Sequence, residues 1–202
     1  AGTIPNGPEF GAAGRDIWLR YRFPASEPYP NGFEYVMCGR VIGGEVQVES
    51  GSGQAVAHVI SEKPVTLLVA VVTARDDADP FRRAKADLQV AQQLGLSGLA
   101  QEHQIYWHSF WQRSFVEISN QYLNQHWYLS LYHLACCARA GKIMPGLCGN
   151  WIAEDSTFAG GMYYWNTCTE NLFYGAYSAN HLEQTIPYNQ TVVEHLPVAQ
   201  TE

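Results

Sequence analysis

The residues with the most chemical potential crowd one stretch of the chain. Gly141-Lys-Ile-Met-Pro-Gly-Leu-Cys-Gly-Asn-Trp151 leads through Glu154 and Asp155 to Gly160-Gly-Met-Tyr-Tyr-Trp-Asn-Thr-Cys-Thr-Glu170, with neither helical nor strand periodicity. Long irregular segments are where binding and catalytic groups concentrate. Small neighbours let a ligand approach the backbone, and the indoles of Trp151 and Trp165 offer flat apolar faces on which a sugar ring can stack; the same indoles serve equally as core. Glu154, Asp155 and Glu170 are the acids of this segment. Inverting hydrolysis of a glycoside uses two carboxyl groups roughly 6.5–9.5 Å apart, one protonated and one ionised. Adjacency does not make Glu154 and Asp155 such a pair, and their bland reading is solvated loop acids. Glu170 also closes Thr167-Cys-Thr-Glu170, a capping box at a helix start, against which substrate contact is the sharper alternative. Asn166 is either a cap or turn residue or an amide that holds a water or a sugar hydroxyl. His108, between Trp107 and Trp111, is a hydroxyl contact or a satisfied core histidine.

Other signals point to less. His126 and His133 lie seven apart without an acid or cysteine at ligand spacing, so no metal site is expected. The glycines from Gly141 to Gly149 lack the Lys-Ser/Thr ending and strand–helix context of a phosphate loop. Asn189-Gln-Thr191 is a glycosylation sequon, meaningful only along a secretory route. Cys38, Cys136, Cys137, Cys148 and Cys168 form no CxxC pair, and their odd number leaves at least one thiol unpaired, with room for one disulfide.

Elements that could position these residues follow in order. Trp18–Phe23 and Phe33–Cys38 are aromatic and branched, and Glu45–Glu49 alternates with period two; all read as strands. Gly43-Gly44 predicts a hairpin between Arg40-Val-Ile42 and Glu45–Glu49. Val65–Val72 is a continuous apolar run, predicting a strand buried on both faces. After Pro80 the period lengthens: Ala84, Leu88 and Ala91 mark an amphipathic helix from Phe81 to Leu94 that Gly95 ends. A second helix, Glu117 to Ala140, is apolar most of the way round and so expected to be buried on more than one side. A third resumes from Glu170 to Glu183.

Composition narrows the partners. The 202 residues carry a formal net charge of -7 and are 47% hydrophobic and 15% charged, which suits a packed core and excludes the basic footprint of a nucleic-acid binder. No run approaches the roughly 18 apolar residues that cross a bilayer. Neither a membrane nor a cofactor is expected.

Three segments together resemble a known family. His103-Gln-Ile-Tyr-Trp-His-Ser-Phe-Trp-Gln-Arg-Ser-Phe-Val-Glu-Ile118 is similar to the entry of the catalytic domains of glycoside hydrolase family 95, the α-L-fucosidase and α-L-galactosidase type. Pro145-Gly-Leu-Cys-Gly-Asn-Trp151 resembles that family's Pro-x-x-Leu-x-Gly-x-Trp loop, one residue shorter, and Trp165-Asn-Thr-Cys-Thr-Glu170 its Asn-x-Asn-Thr-Glu motif. The resemblance implies an α+β chain: a β-sandwich portion over residues 1–76, a helical linker over 77–105 and the first helices of an (α/α)6 barrel over 106–202. It further implies an inverting, exo-acting enzyme on α-L-fucosides or α-L-galactosides, secreted or periplasmic, with a glycan as partner. Asn166 would position the attacking water, and Trp151, Trp165, Glu170 and His108 would line the substrate. Cys168 stands where the family has its second asparagine, and a thiol orients water poorly, so a divergent or inactive carbohydrate-binding relative is the alternative. The family's general acid and aspartate would lie beyond Glu202, in the remaining part of the same enzyme.

Overall fold

A computed structural model describes residues 7–26, 29–149, 163–165 and 167–200. The described fold is α+β, and the chain divides into two compact units, Ala1–His103 and Gln104–Glu202.

In the first unit β1 (Glu9–Ala13), β2 (Asp16–Phe23), β3 (Phe33–Ile42) and β6 (Thr66–Thr73) form an antiparallel sheet in the order β1-β2-β3-β6, while β4 (Glu45–Gly51) and β5 (Gln54–Ile60) make a separate hairpin laid against β1 and β2. Gly43-Gly44 therefore does not turn a hairpin. Both glycines have positive φ (92° and 65°) and carry the chain from one sheet into the other, and a Cβ on Gly44 would stand 2.9 Å from the Ile60 carbonyl oxygen. The hairpin turn is Ser52-Gly53, both at positive φ.

Register decides which side chains share a face. Asp16 pairs with Arg40, Trp18 with Cys38, and Val36 with Val72, so these lie on one side of the sheet. Helix α1 (Pro80–Trp111) covers that side through Ala84 and Leu88, which close a core with Val36, Cys38 and Val72. Burial pushes the Cys38 thiol above its ordinary value. The helix starts where Asp79 accepts from the Arg82 amide at 3.0 Å with Pro80 in the first turn, a favourable N-terminus. Polar ties flank the core. Arg40 makes a fork to Asp16 (2.7 and 2.8 Å) and reaches Gln89 and Gln92 of α1, while Lys85 sits over the rings of Trp18 and Phe81.

A further expectation fails in this unit. Strand β6 is not buried on both faces: Leu67, Val69 and Val71 are 59%, 55% and 58% exposed, because the hairpin lies over β1 and β2. Gly95 does end the first helical stretch. Its φ of 66° and ψ of 174° break the helical path for one residue, and a second stretch follows it within α1.

The second unit contains the last turns of α1, then α2 (Gln121–Cys137), α3 (Thr167–Ser178), a 3₁₀ turn (Leu182–Thr185) and α4 (Ile186–Ala199). Asn120 caps α2 by accepting from the Leu123 amide at 3.2 Å, so the helix starts four residues later than its apolar pattern suggested. Its burial is one-sided. Trp127, Leu131 and Ala135 pack with Trp107, Phe110 and Trp111, whereas Tyr122, Leu123 and Leu129 are 67%, 52% and 50% exposed. Phe173 of α3 anchors a second cluster with Ala138, Met144 and Tyr188. No disulfide joins any of the five cysteines.

Candidate functional site

Within the second unit a pocket of about 360 Å³ opens where the Pro145–Gly149 loop passes between α2 and the start of α3. Ser130, His133, Leu134 and Cys137 reach it from α2, and Asn171 and Leu172 from α3. The α2 residues follow the i, i+3, i+4, i+7 spacing of one helical face. Met144, fully buried, fixes one end of the loop, and its carbonyl accepts from the Tyr163 hydroxyl at 2.8 Å. At its start α3 is held by the buried Thr169, whose hydroxyl donates to the Tyr164 carbonyl.

The residues expected to act are not all brought together. Asn166, Trp151, Glu154 and Asp155 lie outside the described residues. Glu170 stands in the first turn of α3, directly before the pocket residue Asn171, and its carboxylate accepts from the Tyr174 hydroxyl at 3.1 Å. That bond raises the Tyr174 phenol above its ordinary value. Trp165 is 41% exposed and tilts against His195 of α4 at 4.9 Å and Tyr163 at 6.2 Å, an indole open on the surface beside the loop. His108 is exposed in the last turns of α1, on a different side from Trp107, Phe110 and Trp111, which pack inward, and it lines neither of the pockets described in this unit. Cys168 is exposed. The sequon falls inside α4: Thr191 is buried and its hydroxyl donates to the Pro187 carbonyl at 2.7 Å, a poor acceptor site for a glycan.

Sequence reasoning missed a polar cluster at the turn after α3. His181 is fully buried, stacked on Phe110 at 3.9 Å, with Nε2 3.3 Å from the Ser114 hydroxyl and Nδ1 3.6 Å from Glu183. Burial is the main reason its pKa falls below the ordinary value, and the imidazole stays neutral. Burial alone would raise Glu183, but backbone and Gln184 hydrogen bonds and the charge of Arg113 outweigh it and hold the carboxyl low. Serine, histidine and glutamate in this order are the parts of a nucleophilic relay. Such a relay needs an imidazole edge open to the leaving group, and His181 has no exposed surface, so the cluster anchors the turn. Ser114 and His181 are 67 residues apart, and no local signal joins them.

No protein-family model matches the chain, and no curated protein matches it.

Proposed function

We propose that the chain is part of a carbohydrate-active enzyme, an inverting and exo-acting glycoside hydrolase on α-L-fucosides or related sugars such as α-L-galactosides. The observation that carries this reading is the convergence at one pocket of two segments with family-like residues: the Pro145–Gly149 loop forms its wall, and the helix opened by Thr167-Cys-Thr-Glu170 supplies Asn171. Its volume of about 360 Å³ falls within the roughly 300–1,000 Å³ of small-ligand sites. Ser130, His133 and Asn171 give it hydroxyl, imidazole and amide groups, the mixture that reads sugar hydroxyls, and the exposed Trp165 indole stands close by in sequence. Glu170 is the described acid nearest in sequence to the pocket residue Asn171. In this reading Glu170 contacts substrate, and both the general acid and the aspartate that hydrolysis uses lie in sequence beyond Glu202. The outward apolar residues of α2, Leu123 and Leu129, with Tyr177 of α3 and Val193 of α4, suit helices that gain neighbours on their outer faces, as in a barrel of the (α/α)6 type. In this reading the protein works outside the cytoplasm, secreted or periplasmic, on a glycan.

The exposed thiol of Cys168 at the family's second asparagine position favours one alternative, a divergent or inactive relative that binds sugar. Hydrolysis of aryl α-L-fucoside and α-L-galactoside by this chain, and by the same gene product extended through its downstream helices, separates the readings. Activity confined to the extended protein, lost in His133→Ala and Asn171→Ala, supports the hydrolase. Saturable sugar binding without turnover in either form supports the alternative, and neither turnover nor binding overturns both.

A further inference from the structure

A second pocket in the helical unit, about 250 Å³, differs in chemistry from the first. Tyr106 and Phe110 of α1, Arg113 just after it, Arg139 just after α2, and Glu183 and Gln184 of the 3₁₀ turn line it. Two guanidinium groups face one carboxylate, so the wall is net positive in a chain of net charge -7. Arg113 is paired with Glu183; burial pushes that carboxyl up, but its hydrogen bonds and the charge of Arg113 together keep it low and ionised. Arg139 lies 5.6 Å above the Tyr106 ring, and that ring, 39% exposed, stacks on Phe110 to make an apolar floor. Gln184 supplies the observation that points to a ligand. It is 3% exposed, its amide nitrogen donates to Glu183 at 3.3 Å, and its carbonyl oxygen is buried without a hydrogen-bond partner among the described residues. An enclosed acceptor of this kind calls for a donor.

These groups specify complementary chemistry. A carboxylate answers the guanidinium of Arg139, a hydroxyl hydrogen answers the Gln184 oxygen, and a ring with a C–H face answers Tyr106 and Phe110. Neutral sugars lack the first, and simple carboxylates lack the other two. We propose that this pocket binds a hexuronate, the carboxylate form of a six-carbon sugar acid, at a site separate from the pocket of the Pro145–Gly149 loop.

The test is a titration of the whole chain with D-glucuronate and D-galacturonate by calorimetry and saturation-transfer NMR, with D-glucose, D-glucuronamide and acetate as comparators. Saturable uronate binding is expected, weakened about tenfold or more in glucuronamide, where the charge-assisted bond is lost. Arg139→Gln, at an exposed position that does not threaten the fold, should weaken uronate binding by a similar factor, and Gln184→Leu should do so with the far-UV circular dichroism unchanged. His133→Ala, in the other pocket, should leave it unaltered. Equal affinity for glucuronamide, uronate binding untouched by Arg139→Gln, binding lost in His133→Ala instead, or no saturation at about 20 mM uronate would each overturn the assignment.

Discussion

Replacing Glu34 by glutamine removes a buried charge at the centre of an ion cluster on the sheet. The carboxylate is 5% exposed and accepts from Arg20 at 2.9 and 3.1 Å and from Arg22 at 3.0 Å. Breaking a buried ion pair from one side costs about 3–5 kcal/mol, and a hydrogen bond to a charged group contributes about 1.5–3 kcal/mol. Two features reduce the sum: the arginine side chains are 39% and 62% exposed, so water recovers part of their solvation, and glutamine keeps the shape and one acceptor oxygen. The expected loss is about 2 kcal/mol, which at a urea slope of about 2 kcal/mol/M lowers the unfolding midpoint by about 1 M at pH 7. Acid should close that gap. Burial is the largest single influence on Glu34 and pushes its carboxyl up, but the bonds and charges of Arg20 and Arg22 together outweigh it, so the folded pKa lies below the ordinary one. A carboxyl lowered on folding stabilises above its unfolded value, about 4.3, and that contribution disappears as the pH falls through the folded value. Urea unfolding of both proteins, followed by far-UV circular dichroism from about pH 7 down to about pH 3, reads both effects. Midpoints within about 0.2 M at pH 7, or a gap that persists undiminished in acid, would refute the reasoning.

Two further substitutions probe the helices. Phe173→Ala empties the centre of the cluster around Met144 and Tyr188 and should cost about 3–5 kcal/mol, read as a lowered thermal midpoint; a loss under about 1 kcal/mol would mean the site collapses around the gap. Gly95→Ala meets no atom within 4 Å, so its cost is purely conformational: φ of 66° with ψ of 174° is a region only glycine enters easily, and about 1–3 kcal/mol should be lost, or amide exchange should show α1 repaired into a straight helix.

Much of the sheet was legible in residue alternation. Trp18–Phe23, Phe33–Cys38 and Glu45–Glu49 all fall within strands, and Ala84 and Leu88 mark the buried side of α1. Strand β1 escaped because Phe10 is its one large apolar residue among Gly11, Ala12 and Ala13. There glycine is required by packing, since a Cβ on Gly11 would strike the indole of Trp18 across the pair. The run Val65–Val72 misled because continuous apolarity looks the same whether the far face is covered or open. Helix α4 was hidden by Pro187 near its start and Pro197 near its end, residues that read as breakers although each sits in a terminal turn. For the site, the Pro145–Gly149 loop was legible from its glycines, and the pocket face of α2 was present in the spacing of Ser130, His133, Leu134 and Cys137. Nothing local could join Arg113 and Arg139 to Gln184, whose proximity is a product of tertiary packing.

Strand β6 pairs with β3 along one side, and among the described residues no strand lies along its other side. Its free row of amides and carbonyls runs beside the outward Leu67, Val69 and Val71, a template onto which another extended chain could add. The neighbouring sequence limits that hazard. Glu62, Lys63 and Pro64 stand immediately before the strand and Arg75, Asp76 and Asp77 just after it, so charge and a missing amide confine any added pairing to a short register. Neutralising Glu62 and Lys63 would weaken that block and raise the tendency of β6 to pair with another extended chain as the protein is concentrated.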